Sequence, residues 1–200
     1  MTAPSRDQAW ALFCEWTESE SLRKHALGVE AGMRAYAHRY REDEELWAIA
    51  GLVHDLDYER YPDLDTGHPR HALKELEERG YPQEVIDAVA GHADFLGVPR
   101  ESLMAKVLYA VDEMSGFVTA CALVRPTGIE GMKPKSVRKK MKQPSFAAAV
   151  DRDQLERAVH ELGVELNDHI EVVIEALAEH ADELGLAPRQ GAMGGAGSSD

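Results

Sequence analysis

Apolar residues recur along most of this chain at the three-and-four spacing of an amphipathic helix, and no stretch alternates like a half-buried strand. The clearest stripe is Leu22, Ala26, Val29, Met33, Tyr36 and Tyr40, which predicts a helix ending at about Tyr40. Thr17, with Glu20 three positions on, resembles a capping box at its start. A short helix, Asp7 to Trp16, precedes it. A third begins near Asp43, turns Leu46, Ile49, Ala50 and Val53 inward, and delivers the doublet His54-Asp55 at its end. The stretch Tyr58 to Gly67 reads as loop, with Asp63 and Asp65 as simple acidic loop residues.

A fourth helix starts near His68, with Pro69 in its first turn, where a missing N–H is harmless, and stops at Gly80. Pro82 opens a fifth, with Val85, Val89 and His92 on one face. Pro99 opens a sixth, through Leu103, Val107, Ala110 and Val111 to Asp112 and on towards Ala122. Prolines and glycines then interrupt the pattern, leaving a short helix near Ser136 to Met141. Two amphipathic helices follow, Asp151 to Leu162 and Leu166 to Leu184. Pro188 to Asp200 is rich in Gly, Ala and Ser and is predicted to be disordered. The fold class is all-α, one helical bundle, with Met33, Met104, Met114, Trp47 and Phe117 placed in its core.

Composition narrows the function classes. A net charge of −14 argues against a nucleic-acid polymer as partner, because phosphate backbones need a positive surface. The apolar runs are too short and too interrupted to span a bilayer, and the first fifteen residues show no secretory pattern. Two cysteines, Cys14 and Cys121, make no disulfide framework, so the expected setting is the cytoplasm, with no membrane contact. The charge is uneven. Between Met114 and Val150 there are seven basic residues (Arg125, Lys133, Lys135, Arg138, Lys139, Lys140 and Lys142) and one acid, Glu130. Such an island on an acidic chain suggests a small anionic ligand.

The candidate chemistry lies in His25, His54-Asp55, His68, His92 and Asp112. Singly, a histidine on an apolar helical face is usually a core residue with its hydrogen bonds satisfied. Jointly, four imidazoles and two carboxylates are a full protein ligand set for two transition-metal ions, and Fe, Mn, Co, Ni or Zn suit it better than Mg or Ca. His71, one turn from His68, is a weaker alternative to it or a contact for substrate. His38, His160, His169 and His180 lie among charged neighbours and are expected at the surface.

The stretches IAGLVHDLDYERYP, GHPRHALKELEERGYP, VIDAVAGHAD and SLMAKVLYAVDEMSGF, together with SLRKHALGVEAGMRAYA, carry a resemblance to a known family. They are similar to the HD-domain superfamily of metal-dependent phosphohydrolases, in its small HDIG-type branch. The resemblance implies an HD-type helical domain over residues 1–187, with a core at about 18–122 and a C-terminal extension over 123–187. The stretch ALVRPTGIEGMKPKSVRKKMKQPSFAAAVDR is similar to the C-terminal extension of one subgroup of predicted hydrolases. By position, His25, His54, Asp55 and Asp112 match the set that binds one metal in the family. His68 and His92 match the added ligands of dinuclear members, in which the doublet's aspartate bridges both ions. One departure is Leu56-Asp57 where the branch has Ile-Gly. Asp57 is open to three roles: partner to a ligand, acid/base group, or solvated loop residue.

The resemblance implies a phosphohydrolase that turns a metal-activated hydroxide on a small phosphorylated substrate, a nucleotide above all. Asp55 would bridge the ions and orient the nucleophile. Lys133, Lys135, Arg138 and Lys139 are candidates for contacting substrate phosphate. Asp57, His71 and Lys24 are candidates for the general acid. A rival reading is a di-iron oxygenase, because HD-type enzymes similar to myo-inositol oxygenase and to a phosphonate-cleaving oxygenase use the same six ligands. A third is a nucleotide-binding module without turnover.

Overall fold

The computed structural model describes residues 3–189, and every regular element among them is helical. The helices are α1 (Arg6–Trp16), α2 (Glu20–Tyr40), α3 (Glu44–Val53), α4 (Arg70–Glu78), α5 (Gln83–His92), α6 (Leu103–Leu123), α7 (Pro134–Met141), α8 (Arg152–Leu162), α9 (Leu166–Glu179) and α10 (Ala181–Leu184). None of these helices is long and apolar enough to cross a membrane.

Each boundary follows from local chemistry, and several differ from the sequence expectation. Ser5 and Gln8 form a reciprocal capping box at the start of α1. Thr17 does not cap α2; it closes α1, and Ser19 caps α2 by accepting from the Leu22 N–H. Asp43 caps α3 through the N–H groups of Glu45 and Leu46. Helix α4 starts at Arg70, so His68 lies in the preceding loop and Pro69 at the cap position. Helix α6 starts at Leu103 under a Ser102 cap, four residues later than Pro99 suggested. The last amphipathic run breaks at His180 into α9 and α10.

Two long helices organise the bundle. Helix α2 packs on α3, α6 and α9, and α6 packs on α2, α5, α8 and α9. Glycines allow the closest crossings: a Cβ on Gly32 would fall 2.4 Å from Val111 Cγ1, and one on Gly51 3.0 Å from the Glu30 backbone. One core cluster, with Trp47, Tyr36, Met33 and Met104, fills the space among α1 to α6 and α8. A second, with Met114, Phe117, Val137 and Leu177, continues along α6 beneath α7, α9 and α10.

His169 overturns the surface expectation. It is buried, its Nε2–H donating to the Ala110 carbonyl at 2.9 Å while Nδ1 accepts from the Tyr36 hydroxyl at 2.6 Å. His38, His160 and His180 are exposed. Of the tail beginning at Pro188, only Pro188 and Arg189 are described, and Arg189 is tied to the carbonyls of Pro126 and Leu123. The rest of that expectation falls outside the described residues.

Candidate metal centre

Three histidines reach the centre from chain segments that end or follow helices, and each is locked by a different partner. The last carbonyls of a helix have no intrahelical donor. At the end of α3, His54 donates Nδ1–H to the Gly51 carbonyl at 2.7 Å. At the end of α5, His92 does the same to the Val89 carbonyl, also three residues back. Both rings are thereby fixed in the tautomer that leaves Nε2 free to face inward. His68, in the loop, donates Nδ1–H to Asp57 Oδ1 at 2.8 Å.

Asp57 is fully buried, and its other oxygen accepts the Ala72 N–H at 2.8 Å. Ala72 lies in the first turn of α4, a helix with no cap side chain of its own. A carboxylate there satisfies an orphan donor and complements the positive end of the helix dipole. Asp57 therefore aims His68 and anchors α4 together; it is not a solvated loop residue.

Two more donors, His25 and Asp112, come from within the long helices α2 and α6, and Asp55 follows His54 at the end of α3. The tight Gly32–Val111 crossing holds α2 and α6 so that His25 Nε2 meets Asp112 Oδ1 at 2.9 Å. All six candidates converge. His54 Nε2 lies 3.4 Å from both Asp112 Oδ1 and Asp55 Oδ2, and His25 Nε2 lies 4.0 Å from Asp55 Oδ2. The other oxygen, Asp55 Oδ1, lies 3.5 Å from His68 Nε2 and 3.6 Å from His92 Nε2, and these two nitrogens are 3.2 Å apart. Asp55 thus stands between two clusters, His25 and His54 on one side, His68 and His92 on the other.

This donor set fits metal ions. Bonds of about 2.1 Å to one ion put neighbouring ligand atoms about 3.0–3.4 Å apart, close to most of the spacings seen here. His54 Nε2 is buried and has no hydrogen-bond partner, an expensive state for a polar atom unless a cation takes its lone pair. Electrostatics agree. Burial alone lowers the His54 pKa, but Asp55 and Asp112 overcome it and hold it well above the ordinary histidine value. Burial likewise works against ionising Asp55 and Asp112, yet the surrounding imidazoles keep both carboxyls well below their usual range. The pocket draws positive charge to its centre.

The family model for the HD domain matches residues 22–116, a span that contains all six donors. This part of the chain belongs to the HD domain family. No curated protein and no solved structure shows significant similarity to the chain.

The HD domain opens to solvent through a cavity of about 540 Å³ above the donors, walled by Leu22, Tyr58, Leu64, Phe95 and Val150. No lysine or arginine among the described residues lines it. Lys135, Arg138 and Lys139 line a different concavity, on α7, together with Lys142 and Asn167; Lys133, exposed, precedes α7. Lys24 borders a neighbouring groove that shares His25 and Gly116 with the metal cavity, and it pairs with Glu20 at 2.6 Å. His71 is exposed and stacks on Tyr61, outside the cavity lining.

Among the lining residues not read from the sequence are Tyr58, Phe95, Asp94 and Glu113. Tyr58 and Phe95 each stand three positions after a metal-donor candidate, Asp55 and His92, which was a usable signal. Burial, then the neighbouring Asp112 charge, pushes the Glu113 carboxyl up to about 7.

Proposed function

We propose that this chain is a metal-dependent phosphohydrolase acting on a small phosphorylated molecule, with nucleotides the class that the family resemblance favours. The observation that carries the reading is Asp55, one oxygen towards His25 and His54 and the other towards His68 and His92. In this reading His25, His54, Asp112 and Asp55 Oδ2 hold one divalent ion, and His68, His92 and Asp55 Oδ1 hold a second. Two such ions supply Lewis acidity and water of lowered pKa, the chemistry that phosphoester hydrolysis requires.

The chain's own groups hold the ligands in place. Gly51 and Val89 carbonyls fix His54 and His92, and Asp57 fixes His68. Asp57 is occupied by two hydrogen bonds, His71 stacks on Tyr61, and Lys24 pairs with Glu20 in the neighbouring groove, so none of the three general-acid candidates lines the metal cavity. Leu22, Ala149 and Val150 add apolar surface to the cavity lining.

His54→Ala and Asp55→Ala are each expected to lose phosphate release together with bound metal, measured by elemental analysis. Unchanged phosphatase activity in either variant refutes the assignment.

The di-iron oxygenase reading keeps one supporting observation: among the described residues, no lysine or arginine lines the cavity to meet substrate phosphate. Iron-loaded protein that consumes O₂ with a small polar or phosphonate substrate, and releases no phosphate from esters, would favour it.

A further inference from the structure

Apolar surface on the outside of this molecule gathers at the metal cavity. Tyr58, Leu64 and Phe95 are 39 %, 47 % and 47 % exposed, and all three line that cavity. Among the described residues only Tyr61, Leu123 and Val124 are large apolar side chains of comparable exposure. Exposed apolar groups scattered singly mean little; several at the mouth of one site mark a ligand surface.

The two aromatic rings flank a ligand histidine. Tyr58 meets His68 edge-on with ring centroids 5.2 Å apart, and Phe95 lies 6.5 Å from the same ring. Both are carried on short, pinned backbone. The Tyr58 N–H donates to the Asp55 carbonyl at 3.1 Å. Phe95 sits on a 3-10 turn, Asp94–Leu96, whose Asp94 carboxylate accepts from Tyr109 Oη at 2.6 Å, Arg100 at 2.9 Å and Arg157 at 3.3 Å. The arginines that approach this side of the cavity are thus spent on Asp94. Apart from the donors, the charged groups lining the cavity are Asp94 and Glu113.

This wall discriminates by charge and shape. One phosphoryl group is served at the donor centre, whereas a second phosphate would face Glu113 and an Asp94 already paired with its arginines, with no lysine or arginine among the described residues lining the cavity. A flat ring entering the cavity would meet Tyr58 and Phe95, both beside His68. We infer that the substrate is a phosphomonoester carrying an aromatic group, held by Tyr58 and Phe95, and that polyphosphates and small aliphatic phosphates are poor substrates. The inference rests on the phosphohydrolase reading. In the reaction water adds its oxygen to phosphorus, the ester P–O bond breaks, and the aromatic alcohol leaves with a proton beside inorganic phosphate.

The test uses the full chain loaded with Mn²⁺. Calorimetry of phenylphosphonate against methylphosphonate is expected to show about tenfold tighter binding of the aromatic anion. Phosphate release is expected to favour phenyl phosphate over ethyl phosphate, and adenosine monophosphate over the triphosphate. Tyr58→Ala and Phe95→Ala should each reduce the phenyl-to-ethyl preference about fivefold, with metal content checked in the same samples. Val124→Ala, exposed but outside the cavity, should keep that preference. Equal binding of the two phosphonates, an unaltered preference in both aromatic variants, or faster turnover of the triphosphate overturns the inference while leaving a hydrolase. Preferential phenylphosphonate binding without phosphate release from any ester keeps the aromatic site and removes the hydrolase reading.

Discussion

Acidification is expected to loosen this fold through one residue that is not itself a metal donor. His169 is buried, and burial holds its pKa down to about 4 even though its bond to the Ala110 carbonyl acts in the opposite direction. In the unfolded chain the same imidazole takes a proton near 6.5. The unfolded state therefore binds the extra proton first, so stability contributed by neutral His169 is complete above pH 6.5. It falls between pH 6.5 and 4 and is gone below that. At about 1.4 kcal/mol per pH unit, the loss across this window is about 3 kcal/mol. The assay is urea unfolding at half-unit pH steps for the wild type and for His169→Gln, which stays neutral and keeps a donor and an acceptor. The variant is expected to show a pH dependence smaller by about 3 kcal/mol over that window, whatever its stability at pH 7. Identical pH profiles in the two proteins refute the reasoning. The effect reaches the site's scaffold, because Tyr36, His169 and Ala110 tie α2, α9 and α6 together two residues from Asp112.

Other outcomes follow from the same contacts. Asp57→Asn should weaken metal binding about 10- to 100-fold in a chelator competition, since His68 loses its charged partner; unchanged affinity would show that Asp57 does not aim the ring. Gly32→Val should destabilise the fold by about 1–3 kcal/mol in urea unfolding, because its Cβ would lie 2.4 Å from Val111 Cγ1; a neutral result would mean that the α2–α6 crossing gives way freely. Divalent metal at a hundredfold excess over its Kd should add about 2.7 kcal/mol of stability, reversed by chelator; no shift with any of Mn, Fe, Co, Ni or Zn speaks against the centre.

Helix identity was legible because the apolar stripes are strong, as with Val29, Met33 and Tyr36, all buried as their spacing requires. Helix starts were less so. Thr17 and Ser19 are both plausible caps, and only the backbone course decides that Ser19 faces the Leu22 N–H. His169 was misplaced by attention to its charged neighbours, Asp168 and Glu171. It stands four before Val173 and seven before Ala176, both buried, so the period held the answer. Five members of the donor set were readable because they lie on or beside apolar faces that must point inward, whereas His68, in a loop, is legible only from the family resemblance. The aromatic wall of the cavity was missed: Tyr58 and Phe95 carry no apolar periodicity, and only their place three positions after a donor candidate marks them. The basic residues of α7 show the opposite limit: local charge density names a surface, and only the fold says which surface it is.

The two clusters around Asp55 differ in how they are built. His25, His54 and Asp112 hang from α2, α3 and α6, the frame of the bundle, whereas His68 belongs to a loop and depends on a single carboxylate for its aim. On a two-ion reading the halves would be built unequally: the first set would rest on three helices, while the second would rest on α5 and on the loop that Asp57 holds, so changes in that loop would be felt first at the second site.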